Sequence, residues 1–460
     1  MNALMVQGVS SSAGKSLLVT ALARLLARRG IRVAPFKGQN MSNNARVVAG
    51  GEIGTAQYLQ ALAAGVEPDV RMNPILVKPE GDTRSQVVVL GRPDLELSRL
   101  PWRERRAELW PVARDALRSL RREHDFVLLE GAGSPAEINL RDTDLANMRS
   151  AREADARVLL VVDIDRGGAF AHLYGTWSLL PRHERSLVAG FVLNKFRGDP
   201  GLLAPAPQQL QELTGVPTLG VLPWLRHGLP DKDGAFVTAA ATGGLQVAVV
   251  RYPTASNLDE LKQLEQVARL RWAQEPRALE GADLVVLPGS KHVAADLAWL
   301  RRTGLADAIA RTDAPLLGIC GGMQMLGREL RDDAGVDGTA DGLGLLSLRT
   351  SFGAAKTTRR TRVTFEEFDG FWRPLSGLSA DVYEIRHGET VANGAVRSAI
   401  PGGLGFVSGS VVGVAVHGLF ENDAVAASLF GAAPERTLDA VFDLLADAVE
   451  EHLDLDTVLA

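Results

Sequence analysis

The sequence predicts an α/β protein in two parts, the first of them built on a doubly wound parallel sheet. In the first part, short apolar runs alternate with helical stretches; the runs lie near residues 3–7, 31–36, 125–129, 158–162 and 188–193. Strands that alternate with helices are typical of a parallel sheet covered on both faces. In the second part, three further apolar runs lie at residues 245–252, 282–287 and 315–319. A chain of 460 residues is long enough for two or three domains.

The boundary between the two parts is expected at a run of small residues. Residues 238–244 read Thr-Ala-Ala-Ala-Thr-Gly-Gly, a composition typical of a flexible linker. We therefore expect a first domain over residues 1–237 and a second over residues 245–432. Residues 433–460 have the pattern of a terminal helix that serves packing only.

Composition narrows the class of protein. Hydrophobic residues make up 46% of the chain, which is ample for packed cores, and the net charge of −5 gives no electrostatic reason to bind nucleic acid or an anionic membrane. A single cysteine excludes an intramolecular disulfide framework and favours the cytoplasm. Neither a signal peptide nor a run of ~18 apolar residues is found. Neither a nucleic-acid partner nor a membrane partner is therefore expected, and the oligomeric state is left open.

The first apolar run leads into a glycine loop and then an amphipathic stretch. The loop reads Gly8-Val9-Ser10-Ser11-Ser12-Ala13-Gly14-Lys15-Ser16. This order predicts a phosphate-binding loop, whose backbone N–H groups and helix dipole receive phosphate. The residues expected to bind ATP are Gly8, Ser11, Gly14, Lys15 and Ser16; Lys15 would reach the β and γ phosphates, and the Ser16 hydroxyl would ligate Mg²⁺. The alternative is a turn that only caps a helix.

Five residues separate Gly8 from Gly14, where the common pattern has four. This spacing resembles the variant loop of dethiobiotin synthetase and its relatives. A second polar loop, Pro35-Phe36-Lys37-Gly38-Gln39-Asn40-Met41-Ser42, is similar to a signature of the cobyric acid synthase family. Further blocks of that family are resembled by Gly51–Gln57, Met72–Pro79 and Ser85–Val89.

Polar side chains also follow two later strands of the predicted sheet. Glu130 ends the run at 125–129, beside the phosphate loop, and is a candidate Mg²⁺ ligand, directly or through water. Asn194 ends the run at 188–193, and the resemblance implies that its amide contacts adenine. The charged stretch over residues 103–122 is expected to be a solvated helix.

The only cysteine of the chain lies at a sharp turn in the second part. The segment Leu316-Leu317-Gly318-Ile319-Cys320-Gly321-Gly322 predicts a buried strand, a tight turn and then a helix. A helix N-terminus stabilises a thiolate, and the following N–H can face an oxyanion. We therefore expect Cys320 to be a nucleophile. The alternative is a buried structural cysteine.

A cysteine nucleophile needs a base, and His417 ends the apolar run Val412–Val416. His292 and His387 are its rivals. The turn Pro288-Gly289-Ser290-Lys291 can offer N–H groups to a tetrahedral oxyanion. The cysteine turn, the glycine turn and the strand-end histidine together resemble a class I glutamine amidotransferase domain.

In that class an acid commonly lies two residues after the histidine, where this chain has Leu419. Glu421 is expected to begin a helix. We therefore expect a Cys320–His417 dyad without an acid placed by the motif. The family's Tyr-Glu-Ile-His-Met-Gly block appears as Tyr383-Glu384-Ile385-Arg386-His387-Gly388, so no catalytic role is assigned to His387.

The resemblance implies ATP- and glutamine-dependent amidation in cobalamin biosynthesis. The implied substrate is adenosylcobyrinic acid a,c-diamide, a corrinoid amidated at four peripheral carboxylates, and an internal path for ammonia is expected. Lys37, with Gln39 and Asn40, is expected to bind a substrate carboxylate; the alternative is a solvated loop. Two other functions stay open: an a,c-diamide synthase or cell-wall amidotransferase relative, against which the Lys37 loop argues, and a regulatory P-loop ATPase with a degenerate amidase domain, against which the intact Cys–His pair argues.

Overall fold

A computed structural model describes residues 2–80, 84–225, 227, 229, 244–432 and 437–459. Residues 238–243 of the expected linker, and 433–436 and 460 of the expected terminal helix, lie outside the described residues. The elements of the first part are β1 Ala3–Gly8, α1 Lys15–Arg28, β2 Val33–Phe36, β3 Asn40–Met41, β4 Ala45–Val48, β5 Gly51–Gly54, α2 Thr55–Ala63, β6 Ile75–Pro79, β7 Ser85–Val89, β8 Arg92–Asp94, α3 Leu95–Arg99, α4 Arg105–Glu123, β9 Phe126–Glu130, α5 Met148–Ala154, β10 Arg157–Asp163, α6 Ala169–Leu179, α7 Arg182–Arg185, β11 Val188–Phe196, α8 Ala206–Thr214 and β12 Thr218–Pro223.

The elements of the remaining chain are β13 Gln246–Val250, β14 Ala255–Ser256, β15 Arg269–Ala273, β16 Leu284–Leu287, β17 Gly289–Ser290, α9 Val293–Arg302, α10 Leu305–Arg311, β18 Leu316–Ile319, α11 Gly321–Leu326, β19 Glu329–Arg331, β20 Ala340–Asp341, β21 Leu348–Thr364, β22 Ser379–Ala392, β23 Arg397–Ile400, β24 Gly405–Ser408, β25 Val411–Val414, α12 Asp423–Phe430, α13 Leu438–His452 and α14 Leu455–Leu459. Short 3-10 helices include Leu258–Gln266 and Leu419–Glu421.

Six strands of the first part form one parallel sheet in the order β12-β11-β10-β1-β9-β2. Because β1 lies inside the sheet between β10 and β9, the chain winds outward on both sides, which confirms the doubly wound prediction. Every residue of β1 and β9 is buried, so these strands read as unbroken apolar runs. The five predicted strands are all present. β12 was not predicted, since it lies at the sheet edge, where only two of its residues are buried.

The residues between β2 and β9 form an insertion beside this sheet. Strands β3, β6, β7 and β8 make a small mixed sheet, and β4 pairs with β5 in a hairpin. Helix α4, expected to be solvated, buries one side through Leu109, Ala113, Leu117 and Leu120. The first turns of α4 line the cavity beside the phosphate loop, and the β4–β5 hairpin carries Arg46 to the second part of the chain.

The second part is built on a seven-stranded sheet in the order β15-β13-β16-β18-β25-β24-β23. Its strands are parallel from β15 to β25, and the last two pairs are antiparallel. The cysteine turn follows β18, which lies between the parallel strands β16 and β25. The long β21–β22 hairpin stands beside this sheet. Among the described residues, no helix has the length and apolar character needed to cross a bilayer.

The end of the chain returns to the first part and forms two helices, not the one that was expected. Leu453, between α13 and α14, bridges to Gly220 on β12, and Asp454 accepts a hydrogen bond from the backbone N–H of Thr457. This contact and this cap interrupt the helix. Ion pairs join α13 to α1: Arg24–Asp443, Arg28–Asp447 and Arg29–Glu450.

A buried charge cluster joins the two parts at the insertion. The Glu52 carboxylate on β5 bonds Lys78 Nζ at 2.5 Å and also bonds Lys356 from the β21 strand. Burial alone would raise the pKa of Glu52, but the two ammonium groups lower it to about 2. The carboxylate is therefore ionised at neutral pH and holds β5, β6 and β21 together.

Candidate active sites

The phosphate loop has the conformation that its glycines predict. Gly14 has φ of +98°, and a Cβ there would lie 1.9 Å from Asn194 Nδ2. A Cβ on Gly8 would lie 2.9 Å from Lys15 Nζ. Lys15 donates to the carbonyl oxygens of Ser10 and Gly133 at 2.9 and 3.0 Å, which folds its ammonium back over the loop. Glycine is thus required where the loop closes on Lys15 and Asn194.

Asn194 is hydrogen-bonded to the backbone of this loop. The side chain is buried, and its Nδ2 donates to the Ala13 carbonyl at 2.9 Å. Contact with adenine therefore stays a prediction, and the observed contact is with the backbone of the phosphate loop.

Glu130 is the central acceptor of a buried hydrogen-bond network beneath the phosphate loop. Its Oε1 accepts from Ser16 Oγ at 2.9 Å and from Lys37 Nζ at 2.6 Å. Its Oε2 accepts from the amides of Gln57 and Gln60 at 3.2 and 2.6 Å. Glu130 is 1% exposed, so this carboxylate keeps one orientation beside Ser16.

The donor set beside the phosphate loop fits a magnesium ion. Ser16 and Glu130 present adjacent oxygen atoms at the end of β9. Mg²⁺ is usually held by one or two carboxylates together with phosphate oxygens and water, so a cage of protein ligands is not needed. In the described part of the chain no group of three His, Cys, Asp or Glu side chains could hold a metal alone.

The polar loop after β2 divides between the cavity and the interior. Gln39 and Asn40 lie on the wall of a cavity of about 1260 Å³, together with Ser11, Lys15 and other residues of the phosphate loop. Lys37 is fully buried and its ammonium is bonded to Glu130. Contact of Lys37 with a substrate stays a prediction; in this structure the side chain supports Glu130.

Cys320 lies at the turn that the sequence predicts. Its backbone has φ of +50° and ψ of −105°, a strained conformation for a residue with a Cβ. The residue directly precedes α11, its N–H donates to the Val414 carbonyl at 2.7 Å, and its Sγ lies 3.7 Å from the Ile385 carbonyl oxygen. Strain of this kind is typical of a nucleophile elbow.

His417 is hydrogen-bonded to Cys320 on one side and to the Glu260 carboxylate on the other. Its Nδ1 lies 2.8 Å from Glu260 Oε1, and Glu260 Oε2 accepts from the Gly418 N–H at 2.7 Å. Burial alone would lower the pKa of His417, but Glu260 and the hydrogen-bonded Cys320 raise it to about 10. Cys320, His417 and Glu260 are therefore arranged as a Cys–His–Glu triad. Glu260 is the third member, an acid, beside the expected dyad.

No motif near Glu260 predicts its role. It lies 157 residues before His417, at the start of the 3-10 helix Leu258–Gln266. Only two neighbouring acids at the beginning of a helical stretch, Asp259 and Glu260, could have directed attention to it.

The turn after β16 completes this site. A Cβ on Gly289 would lie 2.8 Å from His417 Cε1, and one on Gly321 would lie 2.6 Å from the Ser290 backbone nitrogen. The glycine turn thus lies against both the histidine and the start of α11. Backbone N–H groups in this place can stabilise a tetrahedral oxyanion.

The rival histidines are engaged elsewhere. His292 Nδ1 lies 3.2 Å from Asp337 at the start of α9. His387 Nδ1 lies 3.3 Å from the Gly353 carbonyl oxygen, and burial lowers the pKa of His387 to about 4. Both contacts fit a structural role.

A residue of the first part reaches the triad across the interface. Arg46, on β4, bonds Asp259 and Glu421, and its guanidinium lies 5.2 Å from the centre of the Tyr383 ring. Tyr383 in turn stacks on His417 with ring centres 5.5 Å apart. Asp259 also lines the cavity beside the phosphate loop. One side chain therefore connects the neighbourhoods of the two sites.

Comparisons with known proteins match both parts of the chain. Residues 4–228 match the family model described as a CobQ/CobB/MinD/ParA nucleotide binding domain, and residues 246–425 match a CobB/CobQ-like glutamine amidotransferase domain. A cobyric acid synthase of Paracidovorax citrulli (strain AAC00-1) is 57% identical, over 98% of this chain and 97% of that protein. One of Variovorax paradoxus (strain S110) is 55% identical over the same shares.

Replacing Glu260 tests whether this acid supports His417 in the triad. Glu260→Gln should slow glutamine hydrolysis about 10²-fold or more, because His417 loses the charge that holds its proton and the single amide oxygen cannot replace both carboxylate oxygens that bond His417 and the Gly418 N–H. The pKa of His417 should fall, since burial then dominates, and the limb of the pH–rate profile that reports it should move to lower pH. Glu265→Gln, on the same 3-10 helix, is the matched control. An unchanged rate and profile in Glu260→Gln would remove Glu260 from the site.

Proposed function

The chain belongs to the cobyric acid synthase family, and from that membership we propose that its two sites carry out one reaction: ATP- and glutamine-dependent amidation of peripheral carboxylates of adenosylcobyrinic acid a,c-diamide. The observation that carries the proposal is the presence, in one chain, of a phosphate-loop cavity and a Cys–His–Glu site joined through Arg46. We assign the synthetase half to residues 1–237 and the amidotransferase half to residues 245–432.

In the synthetase half, a substrate carboxylate attacks the γ phosphorus of ATP, giving an acyl phosphate and ADP. Lys15 and the N–H groups of the phosphate loop bind the phosphates and stabilise charge on the transferring group. Ser16 and Glu130 would hold Mg²⁺, which supplies further neutralisation of phosphate charge when bound. Asn194 fixes the phosphate loop, and its predicted contact with adenine is part of the proposal.

In the amidotransferase half, the Cys320 thiolate attacks the glutamine side-chain carbonyl. His417 protonates the departing nitrogen, so that ammonia leaves and a glutamyl thioester remains. Water then attacks the thioester and releases glutamate, with His417 as the base. Glu260 orients the imidazole and stabilises its charged form, and the turn at Gly289 offers N–H groups to the oxyanion.

Ammonia released in the amidotransferase half is the substrate of the last step in the synthetase half. Its nitrogen attacks the acyl phosphate, phosphate leaves, and the amide forms. The acyl phosphate is sensitive to water, so both steps need shielding. The buried contacts around Arg46 lie between the two neighbourhoods and exclude solvent there.

The alternatives from the sequence gain less support. The relatives described above bear the name cobyric acid synthase over nearly the full chain. A regulatory ATPase with a degenerate amidase domain would not need a strained cysteine bonded to a histidine that a buried carboxylate supports.

Removing the nucleophile separates the two half-reactions. Cys320→Ala should abolish amide formation from glutamine but keep amide formation from ammonium chloride at raised pH, because the synthetase half needs only ammonia. His417→Ala should show the same split less completely. The measurement is the mass of corrinoid products with each nitrogen source. Product made by Cys320→Ala from glutamine in ammonia-free buffer would contradict the proposal.

Replacing Lys37 decides between its two interpretations. The bond to Glu130 predicts that Lys37→Met lowers kcat with glutamine and with ammonium alike, because the carboxylate beside Ser16 loses its counter-ion. The KM for the corrinoid should then change no more than the KM for ATP. Gln39→Ala, on the cavity wall, is the control and should raise the corrinoid KM. A rise confined to the corrinoid KM in Lys37→Met would instead establish the substrate contact.

A further inference from the structure

One wall of the phosphate-loop cavity carries three arginines that lack a carboxylate partner among the described residues. Arg106 comes from α4, and Arg149 and Arg152 come from α5. The Arg149 guanidinium lies 4.1 Å from the centre of the Trp110 ring, and its Nη1 is buried without a hydrogen-bond partner in the described structure. Burial and the positive charge of Arg106 lower the pKa of Arg149, so these two guanidinium groups repel each other.

The acids near this wall are engaged with other groups. Asp144 accepts hydrogen bonds from the N–H groups of Ala146 and Asn147 and from the Asn147 amide. Glu153 is bonded to Arg118 at 2.6 Å, on the outer surface of α4. Asp144 and Glu153 partly offset the lowering of the Arg149 pKa, but neither forms an ion pair with the three arginines in the described part of the chain.

A neighbouring arginine shows the contrast. Arg105, one residue before Arg106, donates to Leu100 O, Ser98 O and Ser85 Oγ and is buried. Helix α4 thus satisfies an arginine that serves the fold, whereas the arginines on the cavity wall keep donors for a ligand. Arg106 and Arg149 are half-buried and Arg152 is exposed, so the cost falls on the buried Nη1 of Arg149, and a bound carboxylate removes that cost with two parallel hydrogen bonds.

The wall is separate from the groups that receive phosphate. The phosphate loop connects β1 to α1, and Lys15 there already contacts Ser10 and Gly133. The arginine wall belongs to α4 and α5 and carries the indole rings of Trp102 and Trp110. Aromatic faces beside guanidinium groups suit a large ring system with anionic arms better than a triphosphate.

We infer that Arg106, Arg149 and Arg152 bind the corrinoid carboxylates that are not reacting, while one carboxylate lies at the phosphate loop. This inference rests on the proposed function and names the wall that would select its substrate. Each amidation replaces a carboxylate by a neutral amide and removes one negative charge. Binding to the wall therefore weakens as amidation proceeds, so that the enzyme favours acidic corrinoids and releases amidated ones.

Replacing the central arginine tests the inference. Arg149→Gln should raise the KM of the starting diamide about 10- to 100-fold, the effect of losing hydrogen bonds to a charged group. The KM of the last partly amidated intermediate, isolated from a limited time course, should rise less. The KM values for ATP and glutamine should stay unchanged. In the wild type, added salt should raise the KM of the diamide more than that of the intermediate.

Arg114→Gln is the matched control, since Arg114 lies on α4 with its guanidinium bonded to Asp115 on the exposed side. Arg149→Lys, which keeps the charge, should keep the ranking of the corrinoids. An equal KM change for all corrinoids, or none, would overturn the inference; if Arg149→Gln does not fold, Arg106→Gln and Arg152→Gln decide by the same criterion. Failure of the wild type to amidate the diamide at all would instead overturn the proposed function.

Discussion

One buried guanidinium group, that of Arg46, fixes the position of the two halves of the protein relative to each other. Arg46 leaves the β4–β5 hairpin of the first half and bonds two carboxylates of the second, Asp259 and Glu421. Its side chain is 6% exposed, and loss of one partner from a buried ion pair commonly costs about 3–5 kcal/mol. Because Asp259 directly precedes Glu260, the same contact that closes the interface also positions the acid that holds His417. The geometry of the amidotransferase site therefore depends on a residue of the synthetase half.

Buried carboxylates recur in this molecule wherever a reacting group must keep one orientation. Glu130 is held by Lys37 and two glutamine amides beneath the phosphate loop, and Glu260 is held by His417 and a backbone N–H. In each network the carboxylate has a cationic partner or a hydrogen-bonded histidine, and both of its oxygen atoms accept hydrogen bonds, which is the condition for a buried ion to be tolerated. The arginine wall of the cavity is the opposite case, since its charges have no such partners in the described residues. This contrast supports the inference that the wall receives an anionic ligand.

The sequence predicted those parts of the fold that local pattern determines. The strands of the first sheet, the phosphate loop, the turn at Cys320 and the position of His417 each follow from apolar runs and glycines within a few residues. Contacts between distant segments were not predictable in this way. Glu260 is separated from His417 by more than a hundred residues, and Lys37 pairs with Glu130 in the interior although its polar loop predicts contact with a substrate carboxylate. The break between α13 and α14 depends on the contact of Leu453 with a strand that the sequence did not indicate.

We propose that nitrogen passes from the amidotransferase site to the synthetase site inside the protein. The most direct measurement uses glutamine labelled with ¹⁵N in its amide, together with ATP, the corrinoid diamide and a large excess of unlabelled ammonium near pH 7. Mass spectrometry then gives the fraction of labelled nitrogen in the new amides. An internal path predicts that nearly all new amides carry the label near pH 7, where little of the added ammonium is free ammonia. A labelled fraction that falls in proportion to added ammonium would show that the nitrogen passes through the solvent, and would contradict the coupling of the two sites.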